Sequence, residues 1–118
     1  MKRLKVLFHI NELEKWDTAL GNIINLLKDA GEEAVDVVVL ANGPSVNAYG
    51  NDNMLSVMKE LSERGVRFIA CRNSLRKMCS TGDSSINEDD LSSFIETVPA
   101  GITAIIKIQS DGYAYVKP

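Results

Sequence analysis

Cys71 is the residue of this sequence that is best placed for chemistry. It ends a short apolar stretch, Val66 to Cys71, and polar residues that can begin a helix follow at once. The partial positive charge at a helix N-terminus stabilises a thiolate and lowers the pKa of a thiol. Arg72 and Arg76 add nearby cations. The pattern is typical of a reactive cysteine, but free cysteines are also common packing residues in cores, so both interpretations stay open.

The second cysteine, Cys79, lies eight residues further along the chain. It could form a disulfide with Cys71 only if the chain bends, because about two helical turns separate the two residues. Otherwise it is an incidental thiol. The sequence has neither a metal-ligand spacing of cysteines nor a secretory signal, so we expect reduced thiols in a cytoplasmic protein.

Polar residues also follow the other apolar stretches of the chain. His9 could act as a general acid or base, or be a hydrogen-bonded structural residue. Asn11, Asn42 and Asn73 could bind a ligand or cap loops and turns. Gly43 indicates a turn. These residues, together with Cys71 and Arg72, are the candidate binding and catalytic positions.

The elements that must position these residues follow from hydrophobic periodicity. Apolar runs predict strands over Leu4 to Ile10, Val35 to Leu40, Val66 to Cys71, Thr97 to Ala100 and Tyr113 to Val116. Helical spacing predicts helices from Asp17 or Thr18 to Gly31, Asn53 to Arg64, Ser74 to Met78, Asn87 to Ile95 and Gly101 to Ser110. A loop over residues 41–50 and a polar break over residues 79–85 lie between them.

Alternating strands and helices predict one α/β domain over residues 1–118, with a mainly parallel five-stranded sheet in a three-layer α/β/α arrangement. Ligands bind such sheets at the carboxyl ends of the strands. All the candidate residues fall at that edge. The sequence therefore predicts one functional surface at the strand ends.

Composition and missing motifs exclude several classes of function. A net charge of -3 over 118 residues gives no basic surface for nucleic acid. The N-terminal apolar run is short and lacks a cleavage site, so we interpret it as the first strand and expect no membrane association. Phosphate-binding glycine loops, metal-ligand spacings and esterase elbows are missing. We therefore expect no metal and no cofactor.

Several short motifs are spread over essentially the whole chain: His9-Ile10-Asn11, Trp16, Ala19-Leu20-Gly21-Asn22, Asn42-Gly43-Pro44, Arg64-Gly65-Val66, Cys71-Arg72-Asn73-Ser74-Leu75, Val98-Pro99-Ala100-Gly101-Ile102 and Gly112-Tyr113-Ala114-Tyr115-Val116-Lys117-Pro118. Together they resemble the DsrE/DsrF-like sulfur-relay superfamily, also called DsrEFH-like and related to TusBCD. The resemblance is to its small stand-alone members. It implies a five-stranded parallel sheet between helical layers and homo-oligomers such as trimers or hexamers.

The same resemblance implies a chemical role for one residue. In the sulfur-carrying branches, a cysteine after the third strand accepts sulfur as a persulfide, and Cys71 falls at that position. The match extends to Cys71-Arg72 and Leu75-Arg76, whereas the fuller cysteine-loop sequence of those subunits is not reproduced.

The leading hypothesis is a small cytoplasmic sulfur-relay or thiol-redox protein that uses Cys71 as acceptor and exchanges sulfur with donor and acceptor proteins. His9 and Asn73 would line the pocket. The alternatives are a binding module that holds a small ligand without catalysis, and a structural oligomer. Whether the protein is an enzyme stays open at this point.

Overall fold

Five parallel strands form the sheet in the computed structural model of the protein, which describes residues 3–82 and 86–118. The strands are β1 (Leu4–Ile10), β2 (Val35–Ala41), β3 (Arg67–Cys71), β4 (Ile95–Val98) and β5 (Ala114–Val116). Their order across the sheet is β4-β3-β2-β1-β5, and every neighbouring pair is parallel. The predicted parallel five-stranded sheet is confirmed.

Helices cover both faces of this sheet. They are α1 (Trp16–Ala30), α2 (Asp52–Glu63), α3 (Arg72–Ser80) and α4 (Gly101–Ser110). Side chains of α1, α2 and α3 join the larger apolar cluster on one face, and α4 covers the smaller cluster on the other. The three-layer arrangement is therefore confirmed. Within the described ranges, no helix combines the length and apolarity needed to cross a membrane.

The alternation of side chains along each strand explains the two clusters. In β1, Val6, Phe8 and Ile10 belong to the larger cluster, whereas Leu7 belongs to the cluster under α4. A strand buried on both faces needs apolar residues at successive positions, which is the pattern seen in this sequence. The same alternation places His9 on the α4 face, two residues after Leu7.

The segment after β2 is more ordered than the sequence indicated. Gly43–Gly50 forms a 3₁₀ helix with Tyr49 buried, where the composition predicted a loop. The Tyr49 hydroxyl donates to the carbonyl oxygen of Ile69 at 2.9 Å, and burial raises the pKa of Tyr49 well above its ordinary value, so this hydroxyl stays a donor. The indole N–H of Trp16 donates to the carbonyl oxygen of Ser45 at 2.8 Å. Two buried aromatic residues thus hold the segment in place.

The predicted helix from Asn87 to Ile95 is wrong. Asn87 does cap, because its side-chain oxygen accepts from the backbone N–H of Asp89 at 2.9 Å, but only one 3₁₀ turn follows, over Glu88–Asp90. The chain then extends, since Ile95 pairs with Phe68 in the sheet and is buried in the core. β4 therefore begins two residues before the predicted strand.

The bounds of α1 and α3 also differ from the prediction. α1 begins at Trp16, after a 3₁₀ turn over Leu13–Lys15, and not at Asp17 or Thr18. α3 continues to Ser80 and so includes the first part of the predicted polar break. The last part of that break, residues 83–85, lies outside the described residues.

Candidate functional site

Cys71 lies where β3 meets α3. It is the last residue of β3 and also the N-cap of α3, with an extended backbone (φ −75°, ψ 118°). Its side chain is on the α4 face, two residues after Ile69, and the residue is 5% exposed. The thiol is therefore held at the carboxyl edge of the sheet, between the first turns of two helices.

Four N–H and O–H donors surround the sulfur and decide its ionisation. Burial raises the pKa of the Cys71 thiol, but the Ser74 hydroxyl and the backbone N–H groups of Ser74, Gly101 and Asn73 lower it, and together they outweigh burial. The net pKa lies below its ordinary value. Among these donors, the N–H of Gly101 forms a hydrogen bond of ordinary geometry with Sγ, at 3.3 Å. The backbone N–H groups in the first turn of α3 do not meet that geometry with the Cys71 side chain.

The Ser74 hydroxyl is oriented by the loop after β2. The backbone N–H of Gly43 donates to Ser74 Oγ at 2.8 Å, which leaves the hydroxyl proton free for the sulfur. Gly43 has a φ of +60°, and an added Cβ there would lie 3.2 Å from the carbonyl oxygen of Asn11. The positive φ favours glycine at this turn, and the close carbonyl adds to that preference. The backbone carbonyl of Asn11 thus lies against the turn at Gly43.

Gly101 allows α4 to approach the thiol closely. An added Cβ at this position would lie 3.3 Å from Leu40 Cδ2, 3.4 Å from Cys71 Cβ and 3.6 Å from Asn42 Cβ. Because the glycine has no side chain, the first N–H of α4 can reach Sγ. Since the Cβ atoms of Cys71 and Asn42 both lie this close to one point, they are within about 7 Å of each other.

Asn42 lies near the thiol, and its side chain is hydrogen-bonded to His9. His9 Nε2 is 2.9 Å from Asn42 Oδ1, and His9 Nδ1 is 2.6 Å from the Tyr115 hydroxyl. An amide oxygen can only accept, so Nε2 carries the proton, and in the neutral ring Nδ1 accepts from Tyr115. The three side chains form a hydrogen-bonded row across β5, β1 and the end of β2.

Arg72 and Arg76, the two arginines near Cys71, form ion pairs with Glu88. Arg72 Nε lies 2.6 Å from a Glu88 carboxylate oxygen, Arg72 Nη2 lies 3.1 Å from Thr97 Oγ1, and Arg76 Nη2 lies 3.0 Å from Glu88. Hydrogen bonds from both guanidinium groups hold the pKa of Glu88 below its ordinary value. The lowered pKa of Cys71 therefore comes from hydrogen bonds and not from these cations.

Asn73 and Cys79 occupy different positions on α3. Asn73 is exposed and reaches the sulfur through its backbone N–H. Cys79 is exposed and free, and it lines a cleft of about 300 Å³ with Glu88. Since α3 is continuous from Arg72 to Ser80, the two cysteines stay about two turns apart, beyond the reach of a disulfide within one chain.

Sequence analysis assigned no site role to Ser74, Gly101 and Tyr115, which contact Cys71 or His9. Ser74 and Gly101 were predicted to begin helices and Tyr115 to lie in the last strand. The alternation of side chains would have placed Tyr115 on the face of His9 if the strand order had been known. Across the ranges 3–82 and 86–118, no group of three His, Cys, Asp or Glu residues could hold a metal ion.

The fold and the site together define a class of protein: a three-layer α/β/α domain with a hydrogen-bonded thiol at the carboxyl edge of a parallel sheet. The chain belongs to the DsrE/DsrF-like family, whose family model matches residues 32–118 and so includes Cys71.

A solved structure has the same architecture. It is a protein of unknown function from Methanobacterium thermoautotrophicum, 31% identical in sequence, with a TM-score of 0.82. The alignment covers 98% of this chain and 99% of the archaeal one. No curated protein matches the sequence.

Proposed function

We propose that this protein carries sulfur, with the Cys71 thiolate accepting a sulfur atom as a persulfide. The observation that supports this most is the set of donors from α3 and α4 that lowers the pKa of a nearly buried thiol. Donors around a nearly buried thiol stabilise its thiolate, which is the form that a nucleophile needs. Membership of the DsrE/DsrF-like family supports the same chemistry.

The transfer step is a thiol exchange on a persulfide donor. The Cys71 thiolate attacks the outer sulfur of a persulfide, R–S–S–H, and a Sγ–S bond forms while the S–S bond of the donor breaks. The donor leaves as the thiolate R–S⁻, and the proton stays on the transferred sulfur. The exchange needs no oxidant or reductant. A second thiol then removes the sulfur by the same reaction.

Exposure of the wild-type protein to a small-molecule persulfide, followed by intact mass spectrometry, tests this role. We expect one sulfur atom per chain, lost again after a thiol such as dithiothreitol is added. A protein that is folded, reduced and still takes up no sulfur would overturn the proposal. The strand-end surface would then fit a non-catalytic binding module or a structural oligomer.

The surroundings of the protein follow from the same chemistry. A thiolate that carries sulfur must be kept reduced, and both cysteines are free. We also propose that the protein works in the cytoplasm, with donor and acceptor proteins that exchange sulfur at Cys71.

We also propose that the outer face of α4 forms a homo-oligomer contact, in a trimer or a hexamer. Ile102 and Ile106 lie one turn apart on this helix and are 65% and 58% exposed. Two large apolar side chains on one exposed helix face favour association. We expect an Ile102→Glu, Ile106→Glu double variant to sediment as a monomer, whereas wild type sediments as an oligomer. A monomeric wild-type protein would contradict this.

A further inference from the structure

The hydrogen bonds of the row formed by Tyr115, His9 and Asn42 all point the same way, from Tyr115 to Asn42 next to the thiol. The Tyr115 hydroxyl donates to His9 Nδ1 over 2.6 Å, and His9 Nε2–H donates to Asn42 Oδ1 over 2.9 Å. Tyr115 is 41% exposed, so this contact does not exist to fill a core position. The hydroxyl instead satisfies Nδ1 while Nε2 carries the proton.

The Asn42 amide is oriented by this row. Since Oδ1 is bonded to His9, the two N–H donors on Nδ2 point away from the imidazole. In the described part of the chain no acceptor is hydrogen-bonded to Nδ2, and the residue is only half-buried. Asn42 Cβ and Cys71 Cβ both lie next to Gly101. The Asn42 side chain therefore begins close to the thiol, and its amide donors have no partner among the described residues.

We propose that Tyr115 is a positioning residue that acts through His9 to hold the Asn42 amide donors toward the terminal sulfur of a Cys71 persulfide. This inference rests on the proposed function. A persulfide that has lost its terminal proton is an anion, and N–H donors to an anion form stronger hydrogen bonds than those between neutral groups. Asn42 and the Gly101 N–H would stabilise the loaded form from two sides.

Removal of the Tyr115 hydroxyl would weaken this orientation. His9 Nδ1 would lose its donor, and the imidazole could take its other tautomer, with the proton on Nδ1. Nε2 would then accept from the amide, so Asn42 would turn its oxygen toward the sulfur. An acceptor facing an anion repels it, and the persulfide would lose its stabilisation.

The test compares Tyr115→Phe with Tyr113→Phe as a matched control, since both variants lose one tyrosine hydroxyl. The Tyr113 ring packs on the apolar cluster under α4, and its centroid lies 5.6 Å from Lys5 Nζ. We expect the persulfide of Tyr115→Phe to decay at least about tenfold faster than that of wild type, the effect of one lost hydrogen bond to a charged group. Tyr113→Phe should decay at the wild-type rate. Asn42→Ala, which removes the amide donors without adding a charge, should match Tyr115→Phe. The Asn42→Ala, Tyr115→Phe double variant should add little further loss, since the tyrosine acts through the amide.

The single histidine of the chain gives a second readout. Nitrogen NMR of the imidazole should show the proton on Nε2 in wild type and a changed tautomer in Tyr115→Phe. An unchanged tautomer together with unchanged persulfide decay would overturn the proposed role of Tyr115 and leave the proposed function standing. Failure of wild type to load sulfur would instead overturn the proposed function, and this inference with it.

Discussion

We expect a Cys71→Ser variant to take up no sulfur from a persulfide donor, whereas a Cys79→Ser variant should take up as much as wild type. The difference follows from the surroundings of the two thiols. Cys71 is met by the N–H of Gly101 and by the Ser74 hydroxyl, which lower its pKa, whereas Cys79 is exposed on α3. Intact mass spectrometry of both variants after the same exposure measures the effect.

The Cys71→Ser variant is a fair test because the site can accommodate it. The substitution exchanges the thiol for a hydroxyl, which is smaller and accepts hydrogen bonds from the same N–H and O–H donors. We expect the circular dichroism spectrum of the variant to equal that of wild type. Sulfur uptake that survives in Cys71→Ser and disappears in Cys79→Ser would show that the chemistry belongs to Cys79.

We expect replacement of Trp16 by alanine to lower the free energy of unfolding by about 3–5 kcal/mol, the usual cost of removing a large buried aromatic side chain. Trp16 is 0% exposed. Its ring packs edge-on against Tyr49 at 5.5 Å and stacks on Phe68 at 6.4 Å between centroids. Urea unfolding measured by circular dichroism gives the value.

The same variant should disturb the site as well as the core. The Trp16 indole N–H donates to the carbonyl of Ser45, and Ser45 Oγ lies 2.6 Å from the carbonyl oxygen of Ile10 and 2.7 Å from that of Asn42.

A Trp16→Phe control keeps an aromatic ring and loses the N–H, so it should be destabilised less than Trp16→Ala. A loss below about 1 kcal/mol in Trp16→Ala would contradict the packing described here.

The strands that carry the site could be predicted because strands buried on both faces need continuous apolar runs. β1 has the predicted bounds, and β2 and β3 differ from theirs by one residue. The segment after α3 could not be predicted in this way. Its helix signal, Asn87 followed by acidic residues, is real but local, and pairing of Ile95 with Phe68 overrides it. Strand pairing is a tertiary contact that sequence periodicity does not record.

The candidate site divides along the same line. The location of Cys71 at a strand end before a helix could be predicted from neighbouring residues alone. The roles of Ser74, Gly101 and Tyr115 could not, because they depend on contacts across the sheet, such as Gly43 with Ser74 and β5 with β1. Arg72 shows the opposite error. Its closeness to Cys71 in sequence indicated a cation beside the thiol, but in the structure Arg72 pairs with Glu88.

The pH dependence of Cys71 alkylation, measured in the Cys79→Ser background, tests the central claim most directly. The reactive form is the thiolate, so the rate should fall as the pH drops through the pKa of the folded protein. We expect that midpoint to lie below the free-cysteine value of about 8.5, because the donors around Sγ outweigh burial. Ser74→Ala should move it upward. A midpoint at or above about 8.5 that Ser74→Ala leaves unchanged would contradict the account.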